Sequence, residues 1–109
     1  MAKNESLRGT LDLLVLEALT RDKRLSGFAI KQRIEMASKG MLRVRDSSLY
    51  PALARMMRAG WIVSYGESTG RRRARVWLLL KKGEAQFQIE KRSWSKFRFA
   101  VEGILRRAR

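Results

Sequence analysis

The segment Asp46-Ser-Ser-Leu-Tyr-Pro-Ala-Leu-Ala-Arg-Met-Met-Arg-Ala-Gly60 decides how the rest of the chain is read. It opens on three residues of capping type, Asp46, Ser47 and Ser48, and closes on Gly60, a residue that stops helices. Pro51 has no amide hydrogen and is comfortable only in a first turn, which predicts a helix start near Ser47 or Ser48. In that helix Leu49, Leu53, Met56 and Met57 are expected to face inward. Ser47, Ser48, Tyr50, Pro51, Ala54, Arg55 and Arg58 fall on the other side and offer hydroxyls and guanidinium groups. Hydroxyls bond phosphate oxygens or bases, and Arg takes guanine or phosphate in bidentate fashion.

Upstream, Leu7, Leu11, Leu14 and Ala18 recur at intervals of three and four, and Leu13, Leu16 and Leu19 widen the stripe. That pattern predicts a helix packed on more than one side. Arg21 to Arg24 reads as a charged break. Ser26 then stands as the N-cap of a second helix that carries Phe28, Ile30, Ile34 and Ala37 and stops at Lys39 and Gly40. Downstream, Trp61 to Tyr65 and Arg75 to Leu80 are rich in aromatic and β-branched residues and predict two strands of a hairpin. Residues 66–74 between them are expected to form a projecting loop with Arg71, Arg72 and Arg73 at its tip and Arg75 beside it, a cationic device suited to a phosphate backbone or a minor groove. Each of these arginines is also open to a plainer reading as a solvated surface charge.

From Glu84 to about Arg107 a final helix carries Phe87, Trp94, Phe97, Val101, Ile104 and Ala108 at spacings of seven, three, four, three and four, an a/d-type seam interrupted by Glu90. A small three-helix core cannot hide all of these residues. The expectation is therefore a homodimer through Phe87, Trp94, Phe97, Val101 and Ile104; the alternative left open is a helix folded back on its own domain. Three helices followed by a hairpin is the order of a winged helix-turn-helix. The expected fold class is mainly α (α+β), with a winged helix-turn-helix DNA-binding domain over residues 1–83 and a C-terminal dimerisation helix over 84–109.

Composition narrows the chemistry. In 109 residues there are 25 Lys and Arg against 10 Asp and Glu, a formal net charge of +15, with no His and no Cys. Zinc fingers, thiol or imidazole catalysis and disulfides are thereby excluded, and no enzyme activity, cofactor or metal is expected. Residues 1–40 hold eight basic and five acidic side chains, 41–80 eight and two, and 81–109 nine and three, so the excess lies in the middle and the tail. Such charge raises the local concentration of polyanions. No apolar run approaches the roughly 20 residues of a membrane span, and the opening Met-Ala-Lys-Asn-Glu-Ser has no apolar signal core, so a cytoplasmic protein without membrane contact is expected.

Four stretches carry a family likeness. Leu7-Arg-Gly-Thr-Leu-Asp-Leu-Leu-Val-Leu-Glu-Ala-Leu19, Ser26-Gly-Phe-Ala-Ile30, Ser48-Leu-Tyr-Pro-Ala-Leu53 and Gly60-Trp-Ile62 resemble the PadR family of bacterial transcriptional regulators, in register from about residue 7 to 83. The Ser-Leu-Tyr-Pro-Ala-Leu core is the specific part. The resemblance implies a winged-helix dimer joined by its C-terminal helix, and usually a repressor that leaves its operator when a small molecule or stress signal arrives. It places Ser47, Ser48, Tyr50 and Pro51 on the recognition helix and Arg71 to Arg73 on the wing. Ser26 and Phe28 stand where the family often has His and Tyr, a departure expected to affect packing only. A single C-terminal helix resembles the short branch of the family.

These readings converge on double-stranded DNA as the partner, bound by a homodimer at an inverted-repeat site. Trp94 and Phe97 of two chains are open to two readings, as the lining of a cavity for a small aromatic effector, as in some short relatives, or as core. A basic RNA-binding or ribosome-associated protein on the same fold, and a protein-interaction module, are the alternatives from other classes.

Overall fold

The apolar stripe of the first helix organises the rest. The structure, a computed structural model, describes the backbone of residues 2–69 and 72–107 and the side chains of residues 10–66 and 75–107. In α1 (Ala2–Arg21), Val15, Leu16, Ala18 and Leu19 are fully buried, and their spread around the axis requires cover from several directions. That cover comes from α2 (Gly27–Ala37), α3 (Asp46–Arg58), strand β3 (Arg72–Leu79) and α4 (Lys81–Arg107), all packed on α1. Ile30, Ile34, Leu49, Leu53, Met56, Ile62, Trp77 and Phe87 complete the core, with Trp61 partly buried against it.

Ser26 caps α2 as expected: its Oγ accepts the Ala29 amide at 3.1 Å. The helix stops where Lys39 and Gly40 turn to φ of 55° and 82°. The preceding charged stretch is more than a break. Its last residue opens β1 (Arg24–Ser26), which pairs antiparallel with β3 through Leu25 opposite Trp77. The sheet is thus three-stranded, in the order β1-β3-β2, where β2 is Ile62–Thr69.

Three sequence expectations are corrected here. First, residues 66–69 and 72–74 of the expected loop are strand, with 70 and 71 outside the described residues: β2 and β3 stay paired from Ile62 opposite Leu79 out to Thr69 opposite Arg72. Apolar alternation reports a buried sheet face, and backbone pairing between strands does not require it. Second, α3 starts at Asp46 behind Arg45, which makes no side-chain capping bond. Pro51 is therefore the sixth helical residue, and the Ser47 carbonyl loses its i+4 donor; Ser47 is exposed, so water can replace it. Third, Met57 is 40% exposed, while Ala52 takes the inward place beside Leu49, Leu53 and Met56.

The last helix begins at Lys81, earlier than the expected Glu84, and its start is fastened to the core. The Trp61 carbonyl accepts the Leu80 amide at 2.9 Å, and Gly83 lies directly over the same carbonyl. Phe87 is 6% exposed within its own chain's core, so its assignment to a subunit seam is corrected. The molecule measures 61 × 29 × 25 Å. A 27-residue helix is about 40 Å long, which exceeds the two shorter dimensions.

Gly83 and Gly103 make a matched test. A Cβ on Gly83 would lie 2.6 Å from Leu79 Cδ1 and closer still to the Trp61 carbonyl oxygen, and backbone cannot swing aside. Gly83→Ala is expected to destabilise the fold by about 1–3 kcal/mol. At Gly103 nothing lies within 4 Å, and Ala in this helix interior should instead add about 0.5–1 kcal/mol. Denaturant unfolding of the two variants measures both signs.

Candidate nucleic-acid interface

With Leu49, Ala52, Leu53 and Met56 buried, the outward crest of α3 is fixed by helical geometry as Ser47, Pro51, Ala54 and Arg58. Ser47, Pro51 and Arg58 are exposed and Ala54 is partly so. Tyr50 and Met57 lie on one flank of this crest, Ser48 and Arg55 on the other. Both flanks are tied to neighbouring elements.

On the first flank the Tyr50 ring lies over Gly27, the first residue of α2. A Cβ at Gly27 would sit 2.8 Å from Tyr50 Cζ and 3.0 Å from Cε1. The ring is nevertheless 45% exposed, so one side chain both braces α3 and adds to its outer surface. Met57 continues this flank toward the hairpin: its Sδ lies 3.7 Å from Ser64 Oγ, which also accepts Arg75 Nη1 at 2.8 Å. The root of the wing thus stands beside the C-terminal turn of α3. On the second flank Arg55 Nη2 donates to Asp12 Oδ1 at 2.5 Å, so this arginine is engaged with α1. Lys31 pairs with Asp46 and links α2 to the first turn of α3.

The sequence-predicted residues therefore divide. Ser47, Ser48, Tyr50 and Pro51 are exposed together on the outer half of α3. Arg55 shares the helix but turns to α1. Arg72 and Arg73 stand opposite Thr69 and Ser68 in the hairpin arm, with their side chains outside the described residues, and Arg71 lies wholly outside them. Arg75 is exposed at the wing, and Arg24 lies over the Tyr65 ring at 5.5 Å from its centroid. Gly27 and Asp12 were not singled out as parts of the site. Their only signals were a small residue after a cap and an acid within an apolar helix, and neither names a partner.

The sequence profile of the transcriptional regulator PadR-like family matches residues 15–89. The chain belongs to this family. Among curated proteins none matches. Solved structures share the winged-helix fold of this PadR-like chain. A transcriptional regulator from Clostridium thermocellum superposes with a TM-score of 0.82 at 20% identity, covering 91% of this chain and 96% of that one. A PadR family transcriptional regulator from Eggerthella lenta gives 0.76 at 24%, over 95% and 89%. Bacillus subtilis PadR in complex with operator DNA gives 0.65 at 21%, over 72% of this chain and 45% of that one.

In this PadR-like chain the distal part of α4 is the other conspicuous surface. Trp94, Phe97 and Ile104 are 41%, 48% and 64% exposed, and the Trp94 and Phe97 rings lie 6.0 Å apart at 39°. Val101 on the same face is partly buried. Among the described residues no helix is long and apolar enough to cross a membrane, and no acidic cluster could hold a metal ion.

The contact between the two family motifs is open to a double-mutant cycle. Gly27→Ala alone should destabilise by about 1 kcal/mol, the lower part of the overpacking range, because the exposed Tyr50 ring can tilt away. In a Tyr50→Ala background the same change should cost nothing, giving a coupling of about 1 kcal/mol by thermal unfolding.

Proposed function

We propose that this PadR-like chain is a sequence-specific DNA-binding transcriptional regulator, a cytoplasmic repressor without enzymatic activity, that binds an inverted-repeat operator as a homodimer. The observation that carries the reading is the crest of α3, flanked by the exposed Ser48 and Tyr50, with the hairpin rooted at its C-terminal turn. A recognition helix enters the major groove with its N-terminal residues at base edges while flanking elements hold the backbone. Ser47, Ser48, Tyr50 and Pro51 occupy that N-terminal part, and Arg71, Arg72 and Arg73 are the wing's charge for phosphates or the minor groove. The operator complex of Bacillus subtilis PadR, whose fold this chain shares, supports the reading.

The exposed apolar face of α4 supports the dimer, through Trp94, Phe97, Val101 and Ile104. A two-fold pairing sets the recognition helices about one DNA turn, roughly 34 Å, apart. A flat aromatic effector stacked on Trp94 and Phe97 between two copies would act on that separation and release the operator.

Selection of bound duplexes from a random library tests the reading as a whole. The expected product is an inverted repeat with half-sites about 10 base pairs apart, bound by a species that sediments as a dimer. Binding indifferent to sequence at every salt concentration, or preference for structured RNA, would overturn it. Replacing Arg71, Arg72 and Arg73 together by Ala should weaken binding to all duplexes and flatten the slope of log affinity against log salt by about three units. An unchanged slope would remove the wing from the interface.

A further inference from the structure

Asp12 is the only charged side chain buried among the described residues, at 4% exposure, and it lies in α1 among the leucines that form the core. Burying a carboxylate is unfavourable unless it is paired and hydrogen-bonded. Arg55 Nη2 meets it at 2.5 Å from 43 residues away in sequence, with the arginine side chain 33% exposed and the aspartate 6%. Leu49, Leu53 and Met56 join α3 to the core by apolar contact, which has no preferred direction. Leu49, Leu53 and Met56 would stay buried through a modest roll of the helix about its axis. A charge-assisted hydrogen bond on the flank of the helix resists that roll because it is short and directional.

We infer that Asp12 and Arg55 are positioning residues for DNA recognition: the pair fixes the roll of α3, and with it which side chains of the crest meet the bases, while Arg55 itself makes no contact with the duplex. The inference rests on the DNA-binding reading and refines it by removing one arginine from the interface. It also assigns a part in specificity to Asp12, a residue that cannot touch DNA because the core encloses it. Because α1 packs along α4 as well as α3, the pair anchors the recognition helix to the element that also carries the tail helix.

The test is a specificity profile: affinity for the selected operator and for each of its single-base-pair variants, measured for wild type, Asp12→Asn and Arg55→Gln, with slopes against salt. A direct Arg55 contact to a base loses discrimination at one position, and a direct contact to phosphate lowers the salt slope by about one unit at equal cost to all duplexes. Positioning predicts neither. Discrimination should fall about tenfold, spread over several positions of the half-site, with no decrease in slope for Arg55→Gln. Asp12→Asn should reproduce the same profile from inside the core. A profile altered at one base pair, a lowered slope for Arg55→Gln, or an unaltered Asp12→Asn profile overturns the inference while leaving DNA binding intact. A wild-type protein that does not discriminate among duplexes overturns both. If Arg55→Gln does not fold, Arg55→Lys is read in its place. It keeps the charge and a phosphate contact but loses the planar fork, so positioning still predicts the spread-out loss.

Discussion

The burial of one face of α3 against α1 is the constraint from which the outer surface follows. Once Leu49, Ala52, Leu53 and Met56 are inside, the residues that can point away are settled by the 3.6-residue period, and Ser47, Pro51, Ala54 and Arg58 are left on the crest. Hydrophobic burial alone fixes the direction of that face only loosely. The tighter constraints sit on the two flanks, where the Tyr50 ring meets the bare backbone of Gly27 and the Arg55 guanidinium meets Asp12. One is a steric stop, the other a directional bond, and they lie on opposite sides of the same axis. A helix held this way is a preorganised surface, and preorganisation lowers the ordering cost that association would otherwise carry.

Charge follows a complementary logic. Glu17 with Arg21, Asp22 with Arg33, Glu35 with Arg43, Asp46 with Lys31 and Asp12 with Arg55 all lie within the three-helix body or its links. Apart from the buried Asp12–Arg55 pair, these are exposed pairs of the kind that contribute little to stability. Their consequence is local: five acids of the helical body each meet a cation, while residues 61–109, the hairpin and the tail helix, hold 13 basic against four acidic residues and so carry +9 of the formal +15. A polyanion approaching the body is steered toward those surfaces, because an unpaired cation contributes to the far field and a paired one largely does not.

What could be read from the sequence was local. Helical periods, the Ser26 cap and the stop at Gly60 each depend on residues within a turn or two of each other, and each is found in the structure. Strand β1 escaped because three residues with no apolar alternation become a strand only through partners some fifty positions away, at Val76, Trp77 and Leu78. The outer arm of the hairpin escaped because Gly66, Glu67, Ser68 and Thr69 carry no strand signature, although nothing about them opposes pairing once β2 and β3 are in register. At the site, an outward face of α3 was legible from amphipathicity, but its flanks were not. Arg55 looks like any other outward cation until Asp12 is seen beneath it, and Gly27 looks like a helix start until Tyr50 is seen above it.

The tail helix shows why one apolar stripe can have two meanings. Phe87 and Trp94 are a full heptad apart and share a face, yet Phe87 is sealed in its own core and Trp94 is 41% exposed. Length accounts for the change. The helix is about 40 Å long and fastened at one end beneath Trp61, and from Lys91 to Ala100 every residue is exposed, so it has run past the core. Beyond the point where the core ends, the same seam continues with Phe97, Val101 and Ile104, and Leu105 beside it is 68% exposed. Apolar side chains gathered on one face of a projecting rod form the kind of patch that soluble proteins cover by association. In the proposed dimer a second copy, related by a two-fold axis, would present the same residues from both sides. The proposed subunit contact would then lie on the outer half of α4, from Trp94 onward, while Phe87 holds the helix to its own domain.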